Sequence, residues 1–376
     1  MKRILGLDIL RAIAILLVVF MHSGHFLMPL FNVPIIGILL RRFVGTMNFL
    51  GELGVELFFI LSGFLIGGIL IKTFERTDYN FSEIKNFWVR RWFRTLPNYL
   101  LFLILNILFF VIIMKENIFY PEYFLFLQNF TEKIFPFFKE SWSLAIEEWF
   151  YLTLPICLFV FRSLLKKQPV QKMLLISFTV YFLLFFIIKI IAVFNYNIQE
   201  TRGVVIYRLD TMVIGVFMSY FYKYHKALLY RNRKTLFFSG LLLFAVLFIV
   251  FMVSLLPEFN LKDNYWVEKF YKILILDLFG ISFALLIPLS LSVNTTKNRF
   301  LDRTVTTISL ISYSLYLVHF SILDVLIFSR FPNETEFSSV VIYVSYLAVA
   351  FGLSYIVYKY FEIPMTKLRD KISMKE

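Results

Sequence analysis

The chain has 376 residues, of which 60% are hydrophobic, 20% aromatic and only 17% charged. Soluble domains carry roughly a quarter charged residues, and no soluble core of this length hides 48 phenylalanines and 21 tyrosines. The apolar content excludes disorder and a coiled coil, and the single cysteine, Cys157 inside an apolar run, excludes a disulfide scaffold. The net charge of +13 does not point to nucleic acid, because no basic stripe falls on a soluble module. The composition predicts a multi-spanning membrane protein.

Apolar runs of about 20 residues predict ten helices, at 5–29, 48–72, 96–114, 141–163, 173–194, 203–222, 236–256, 271–292, 305–329 and 338–361. The stretch 119–130 is apolar but too short to span, which predicts an interfacial or re-entrant segment. A signal peptide is a poor reading of the N-terminus, because Asp8 and Arg11 interrupt the first run. Counting Lys and Arg with both termini inside gives 25 in the inner segments against 9 in the outer loops. That bias predicts cytoplasmic termini and an even number of spans. No linker and no internal repeat is visible, so residues 1–376 read as one all-α transmembrane domain.

Ionisable groups inside a bilayer are expensive and read as functional by default. Here they include Asp8, Arg11, His22, His25, Glu52, Glu56, Glu147, Glu148, Lys189, Arg208, Asp210, Asp277, His319 and Asp324. Asp8 and Arg11, at i and i+3, are expected to pair. Arg11 and His22 are eleven residues apart, which puts them on one face of the first helix, about 16 Å apart along its axis. Counting depth from the helix ends places His22 in an outer layer with Glu52, Glu56, Glu147, Glu148, Arg208, Asp210, Asp277 and Asp324. A carboxylate beside an imidazole fixes its tautomer and makes it a base near neutral pH. Glu147 and Glu148 point about 100° apart on a helix, so only one can face His22, and Glu148 is favoured.

The third helix opens with Arg90, Arg91 and Arg94 beside Trp88 and Trp92. Arginine forks suit phosphate, while an inner anchor with interfacial tryptophans is the bland alternative. Three arginines where lysines would serve for topology favour an anion site, with Arg90 and Arg94 on one side and Arg91 turned partly away.

These residues together resemble the acyltransferase-3 family of bacterial membrane acyltransferases. The matching segments are Leu10-Arg11 with His22, Gly54 to Ile66 with Glu56 where Asp is usual, and Arg90, Arg91, Arg94 and Pro97. They continue with Ser143 to Leu152, with Trp149 where Gln is common, then Arg208-Leu209-Asp210 and Ser312 to His319. The resemblance covers roughly 5–361. It implies a ten-helix fold in the bacterial inner membrane, an acyl-CoA donor (most commonly acetyl-CoA) and His22 as catalytic base. It also implies that the hydrolase-like domain appended in some relatives is absent, and it calls for no metal.

The resulting expectation is an O-acyltransferase. Arg11, Arg90, Arg91 and Arg94 bind acyl-CoA from the cytoplasm, and His22 with Glu148 or Glu147 is catalytic. Glu52, Glu56, Arg208 and Asp210 bind a glycan or glycolipid acceptor from outside. Ser62, Tyr313 and Arg208 stand open as oxyanion donors. A transporter or flippase for a glycan or small anion is the rival class.

Overall fold

In a computed structural model the described residues are 3–77, 79–115, 120–132, 137–196, 198, 201–254, 264–331 and 335–373. Of the cations that set the charge bias, Lys2, Lys133, Lys262 and Lys375 lie outside them. The described elements are helical: α1 Leu5–Ser23, α2 Ile36–Phe74, α3 Phe81–Phe109, α4 Ser141–Leu164, α5 Val170–Asn195, α6 Leu209–Tyr224, α7 Lys226–Arg231, α8 Arg233–Ser254, α9 Tyr265–Ser290, α10 Arg299–Val318, α11 Glu336–Val357 and α12 Ile363–Ser373. Several starts carry their own caps. The Asn80, Asn264 and Asn298 side chains accept backbone N–H groups, and Thr335 with Ser338 forms a reciprocal box.

Nine of the described helical stretches are long and apolar enough to cross a bilayer. The chain is an all-α integral membrane protein. The predicted sixth span differs: α6 has only 16 residues, and its approach through 203–208 is irregular. Backbone of that kind survives at membrane depth only inside protein. Here the Val205 N–H donates to the Asn129 carbonyl at 2.9 Å, and Asn129 Nδ2 donates to the Trp142 and Gly203 carbonyls at 2.9 and 2.8 Å. The stretch 119–130, described from Tyr120, thus runs into the bundle with Tyr123, Gln128 and Asn129 fully buried. The first predicted helix also ends early, at Ser23, and continues as a 3₁₀ segment over Gly24–Asn32. α2 begins at Ile36 rather than 48 and has 39 residues. At 1.5 Å per residue it is far longer than a bilayer core of about 30 Å.

α2 is the central helix. Its most apolar window is 78% buried, against 11% for α8, which lies at the lipid-facing edge. Small residues let the central backbones touch, as membrane helix packing requires. A Cβ on Gly63 would sit 2.0 Å from the Met212 carbonyl oxygen, and one on Gly215 would sit 2.2 Å from that of Ile60. Any larger side chain at either position would force α2 and α6 apart.

The same interface buries charge. Arg208 is ion-paired to Glu56, with both side chains essentially inaccessible. Lys189 bridges Asp210 and Asp277 at 2.6 Å each, and Thr211 Oγ1 donates to Asp277 at 2.6 Å. Glu56, Arg208 and Asp210 were expected to meet an acceptor. Instead they cross-link α2, α5, α6 and α9 behind the cavity walls described below, because a charge at that depth is tolerated only when paired.

Candidate active site

Three cavities lie in series along α1. The middle one, 360 Å³, is lined by Arg11 of α1, Ser62 of α2, Arg91 and Arg94 of α3, Glu147 of α4, and Tyr313 and Tyr316 of α10. A mouth of 280 Å³ shares Arg11 and Arg94 with it and adds Arg3, Glu362 and Lys367. On the other side a chamber of 230 Å³ shares Val55 and Tyr316 with the middle cavity and is lined by His22, Glu140, Trp142, Arg202 and Phe320. Arg11 and His22 therefore face adjacent cavities of this series, a cation toward one end and an imidazole toward the other.

The predicted Asp8–Arg11 pair does not form. Asp8 is held by Arg3 at 2.5 Å and by the Ser309 hydroxyl at 2.8 Å, which leaves Arg11 turned to the cavity. Among the described residues neither Arg11 nor Arg94 makes an ion pair. Arg91 stands over the Tyr151 ring at 4.1 Å, donates to the Tyr151 hydroxyl at 2.5 Å and lies 3.5 Å from Glu147. Arg90 is exposed and lines none of the three cavities. The pair that faces the cavity is thus Arg91 with Arg94, not Arg90 with Arg94. The i and i+3 positions flank the α3 face that meets α4 and α10.

No hydrogen bond joins Glu147 or Glu148 to His22 among the described residues. Glu147 instead accepts from the Tyr151 hydroxyl at 2.6 Å, and Glu148 is buried and lines none of the cavities. Counting depth from the helix end misplaced both, because the segment before α4 itself runs deep into the bundle. The partner of His22 is His319, whose Nε2 lies 3.1 Å from His22 Nδ1.

Two carbonyls decide the protons of this pair. His319 Nδ1 lies 2.8 Å from the Tyr316 carbonyl oxygen, and His22 Nδ1 lies 3.0 Å from that of Val18. A carbonyl only accepts, so both Nδ1 atoms carry hydrogen. His319 Nε2 must then be unprotonated to accept from His22 Nδ1–H. That leaves His22 Nε2 with a free lone pair, the form a general base requires. His319 itself is fully buried, and its backbone carbonyl accepts from the Tyr346 hydroxyl at 2.9 Å.

If His319 positions His22 in this way, an acceptor at its Nε2 position is what matters. His319→Leu should lower turnover about tenfold, the loss of one buried hydrogen bond of about 1 kcal/mol or slightly more, and should alter the pH profile. His319→Gln, whose Oε1 can reach the same place, should restore most of the rate. Steady-state kinetics of the two variants checks this, and equal losses in both would assign His319 to packing alone.

The carboxylate that does line the His22 chamber is Glu140, in the loop before α4. It accepts from the Ser321 N–H at 3.2 Å and from the Ser321 hydroxyl, and complete burial pushes its carboxyl up to about 7. The Tyr316 hydroxyl donates to the Glu140 carbonyl at 2.9 Å and meets the Ser143 hydroxyl at 2.6 Å, on the wall between the middle cavity and the chamber. The groups named as oxyanion donors are each committed elsewhere. Ser62 bonds Tyr151, Tyr313 donates to the Thr95 carbonyl at 2.7 Å, and Arg208 pairs with Glu56. Sequence reading missed Glu140 and Tyr316 as site residues. The only signal was the spacing of Tyr316 and His319, which places them on one face of the helix. His25 hydrogen-bonds Asp324 Oδ1 through Nε2 at 3.1 Å. Glu52 pairs with Arg202 at 2.9 Å beside a further cavity.

Long apolar helices around a buried polar passage define a multi-pass membrane protein with an internal site. The acyltransferase domain family matches residues 4–359, and the chain belongs to that family. A Staphylococcus aureus (strain COL) protein with the provisional name O-acetyltransferase is 27% identical over 98% of this chain and 58% of its own length. The O-acetyltransferase OatA of Staphylococcus aureus (strain NCTC 8325 / PS 47) is 27% identical over 84% of this chain and 53% of its own. The chain thus spans little more than half the length of these relatives. No solved structure matches it.

Proposed function

We propose that residues 1–376 form a single transmembrane acyltransferase domain of a bacterial inner membrane, with both termini cytoplasmic. It moves an acyl group, acetyl in the first instance, from cytoplasmic acyl-CoA to a hydroxyl of a glycan or glycolipid at the outer side. The observation that carries this reading is the series of cavities with Arg11, Arg91 and Arg94 on one stretch and the His22 imidazole at the other. Arg11 and Arg94 face the cavity with no ion pair among the described residues, and Arg91 keeps only Glu147 at 3.5 Å, so the cluster suits the phosphates of CoA. The narrow arm of the donor then extends past Ser143 and Tyr316 toward His22.

In this mechanism His22 Nε2 takes the proton of the acceptor hydroxyl as its oxygen bonds to the thioester carbonyl carbon. The tetrahedral oxyanion collapses, the C–S bond breaks, and the thiolate takes the proton back from the imidazolium. His319 and the Val18 carbonyl hold Nδ1–H, and so keep the lone pair on Nε2 throughout. Glu147 acts at a distance, by orienting Arg91 and Tyr151. The membership of the family and the names of the relatives support acyl transfer.

Release of free thiol from acetyl-CoA by the purified protein in detergent tests the reaction class. A transporter or flippase has no thioester chemistry, so wild-type protein that leaves acetyl-CoA intact in the presence of acceptor glycans would overturn the proposal. Surface glycans from cells with and without the protein, compared by mass spectrometry, identify the acceptor. Donor binding gives a separate test. Losing one charge-assisted hydrogen bond costs about 1.5–3 kcal/mol, so Arg94→Ala should weaken CoA affinity by roughly ten- to a hundredfold in a calorimetric titration. Arg90→Ala, outside the cavity, should weaken it much less. Equal affinity in wild type and an Arg91/Arg94 double variant would return these residues to a topological role.

A further inference from the structure

A fourth cavity, the largest described at 580 Å³, lies between α2, α8 and α9 and takes no part in the donor passage. Its wall is apolar, built by Phe49, Leu247, Val250, Ile275 and Phe279, and its rim is charged. Two ion pairs stand on that rim: Glu52 with Arg202 at 2.9 Å, and Glu268 with Lys272 at 2.6 Å. The cavity opens sideways, since two of its lining residues, Val250 and Phe270, are 44% and 61% exposed on the lipid-facing edge of the bundle.

Arg202 ties this cavity to the chemistry, because the same residue lines the His22 chamber. Its guanidinium stacks 5.2 Å from the Trp142 ring, and its Nε is buried with no hydrogen-bond partner among the described residues. An unpaired buried donor costs about 1–3 kcal/mol and invites an acceptor atom. An apolar slot open to the bilayer holds a hydrocarbon chain, while a rim of fixed charges and a free N–H holds a polyhydroxylated head. A soluble polysaccharide would leave the apolar wall unmatched.

We propose that the acceptor is a membrane glycolipid: its chain enters this cavity laterally between α2, α8 and α9, and its sugar passes Arg202 to reach His22. The proposal rests on the acyl-transfer reading for the word acceptor, but the site can be tested without turnover. The protein is placed in vesicles of phosphatidylethanolamine and phosphatidylglycerol. A galactosyl diacylglycerol carrying a diazirine in one chain is the probe, and phosphatidylglycerol carrying the same diazirine chain is the control.

On irradiation the galactolipid should label peptides of α8 and α9 about tenfold more than the control does. Unlabelled galactolipid should compete, and Leu247→Trp, which fills the wall, should abolish the labelling. Val250→Trp, already exposed to lipid and therefore harmless to folding, should reduce it in the same sense. Equal labelling by both probes would make this a bulk-lipid groove and overturn the proposal, as would labelling indifferent to both Trp variants. In the transfer assay, Val250→Trp should lose acetylation of the galactolipid and the thiol release that accompanies it, while CoA affinity stays close to wild type. Selective labelling with no transfer by the wild type would uphold the site and overturn the acyl-transfer reading instead.

Discussion

His22→Ala should lower acyl transfer by about two to four orders of magnitude, the usual weight of a general base, while CoA affinity and the unfolding temperature stay close to wild type. The effect is large because nothing else described in the chamber can take its place. His319 has its Nδ1 proton fixed by the Tyr316 carbonyl, and its Nε2 is already engaged by His22. The Glu140 carboxylate is occupied by the Ser321 N–H and hydroxyl. The effect on folding is small because, among the described residues, the His22 side chain makes two hydrogen bonds, to the Val18 carbonyl and to His319, and packs on the Phe320 ring at 4.2 Å. His25→Ala serves as the comparison. Its ring pairs with Asp324 and is partly exposed, so its loss should be far milder. Near-normal turnover in a well-folded His22→Ala protein would remove this residue from the mechanism.

Glu56→Ala should destabilise the fold by about 3–5 kcal/mol, because removing one member of a buried pair leaves the other charge uncompensated. The site offers Arg208 no escape. Its side chain is 1% exposed, between α2 and α6 where Gly63 and Gly215 bring the backbones into contact. Thermal unfolding in detergent should show a drop of several degrees. A double variant, Glu56→Leu with Arg208→Met, should recover much of it, since apolar replacements of similar volume often match a buried ion pair. The acceptor KM of whatever Glu56→Ala protein remains folded should be unchanged. An unaltered unfolding temperature with a raised acceptor KM would place Glu56 back at the substrate.

The sequence alone determined the class of molecule, because hydrophobic length and charge bias are local quantities. Runs of about 20 apolar residues located nearly all the spans, and the motifs around Arg11, His22, Arg91 and His319 marked the helices that build the passage. It could also say that Arg11 and His22 share a face, since helical periodicity is set by the backbone and not by neighbours. What it could not give was the pairing of charges. Asp8 pairs with Arg3 instead of Arg11, His22 with His319 instead of a carboxylate, and Lys189 with two aspartates from two other helices. Each of those choices depends on the relative depth and rotation of separate helices. In the interior of this bundle both are fixed by glycine contacts such as Gly63 against Met212, and by the buried loop through Asn129 that sets where α4 and α6 begin. A charge inside a membrane must find a partner, but which partner it finds is decided only when the helices are packed.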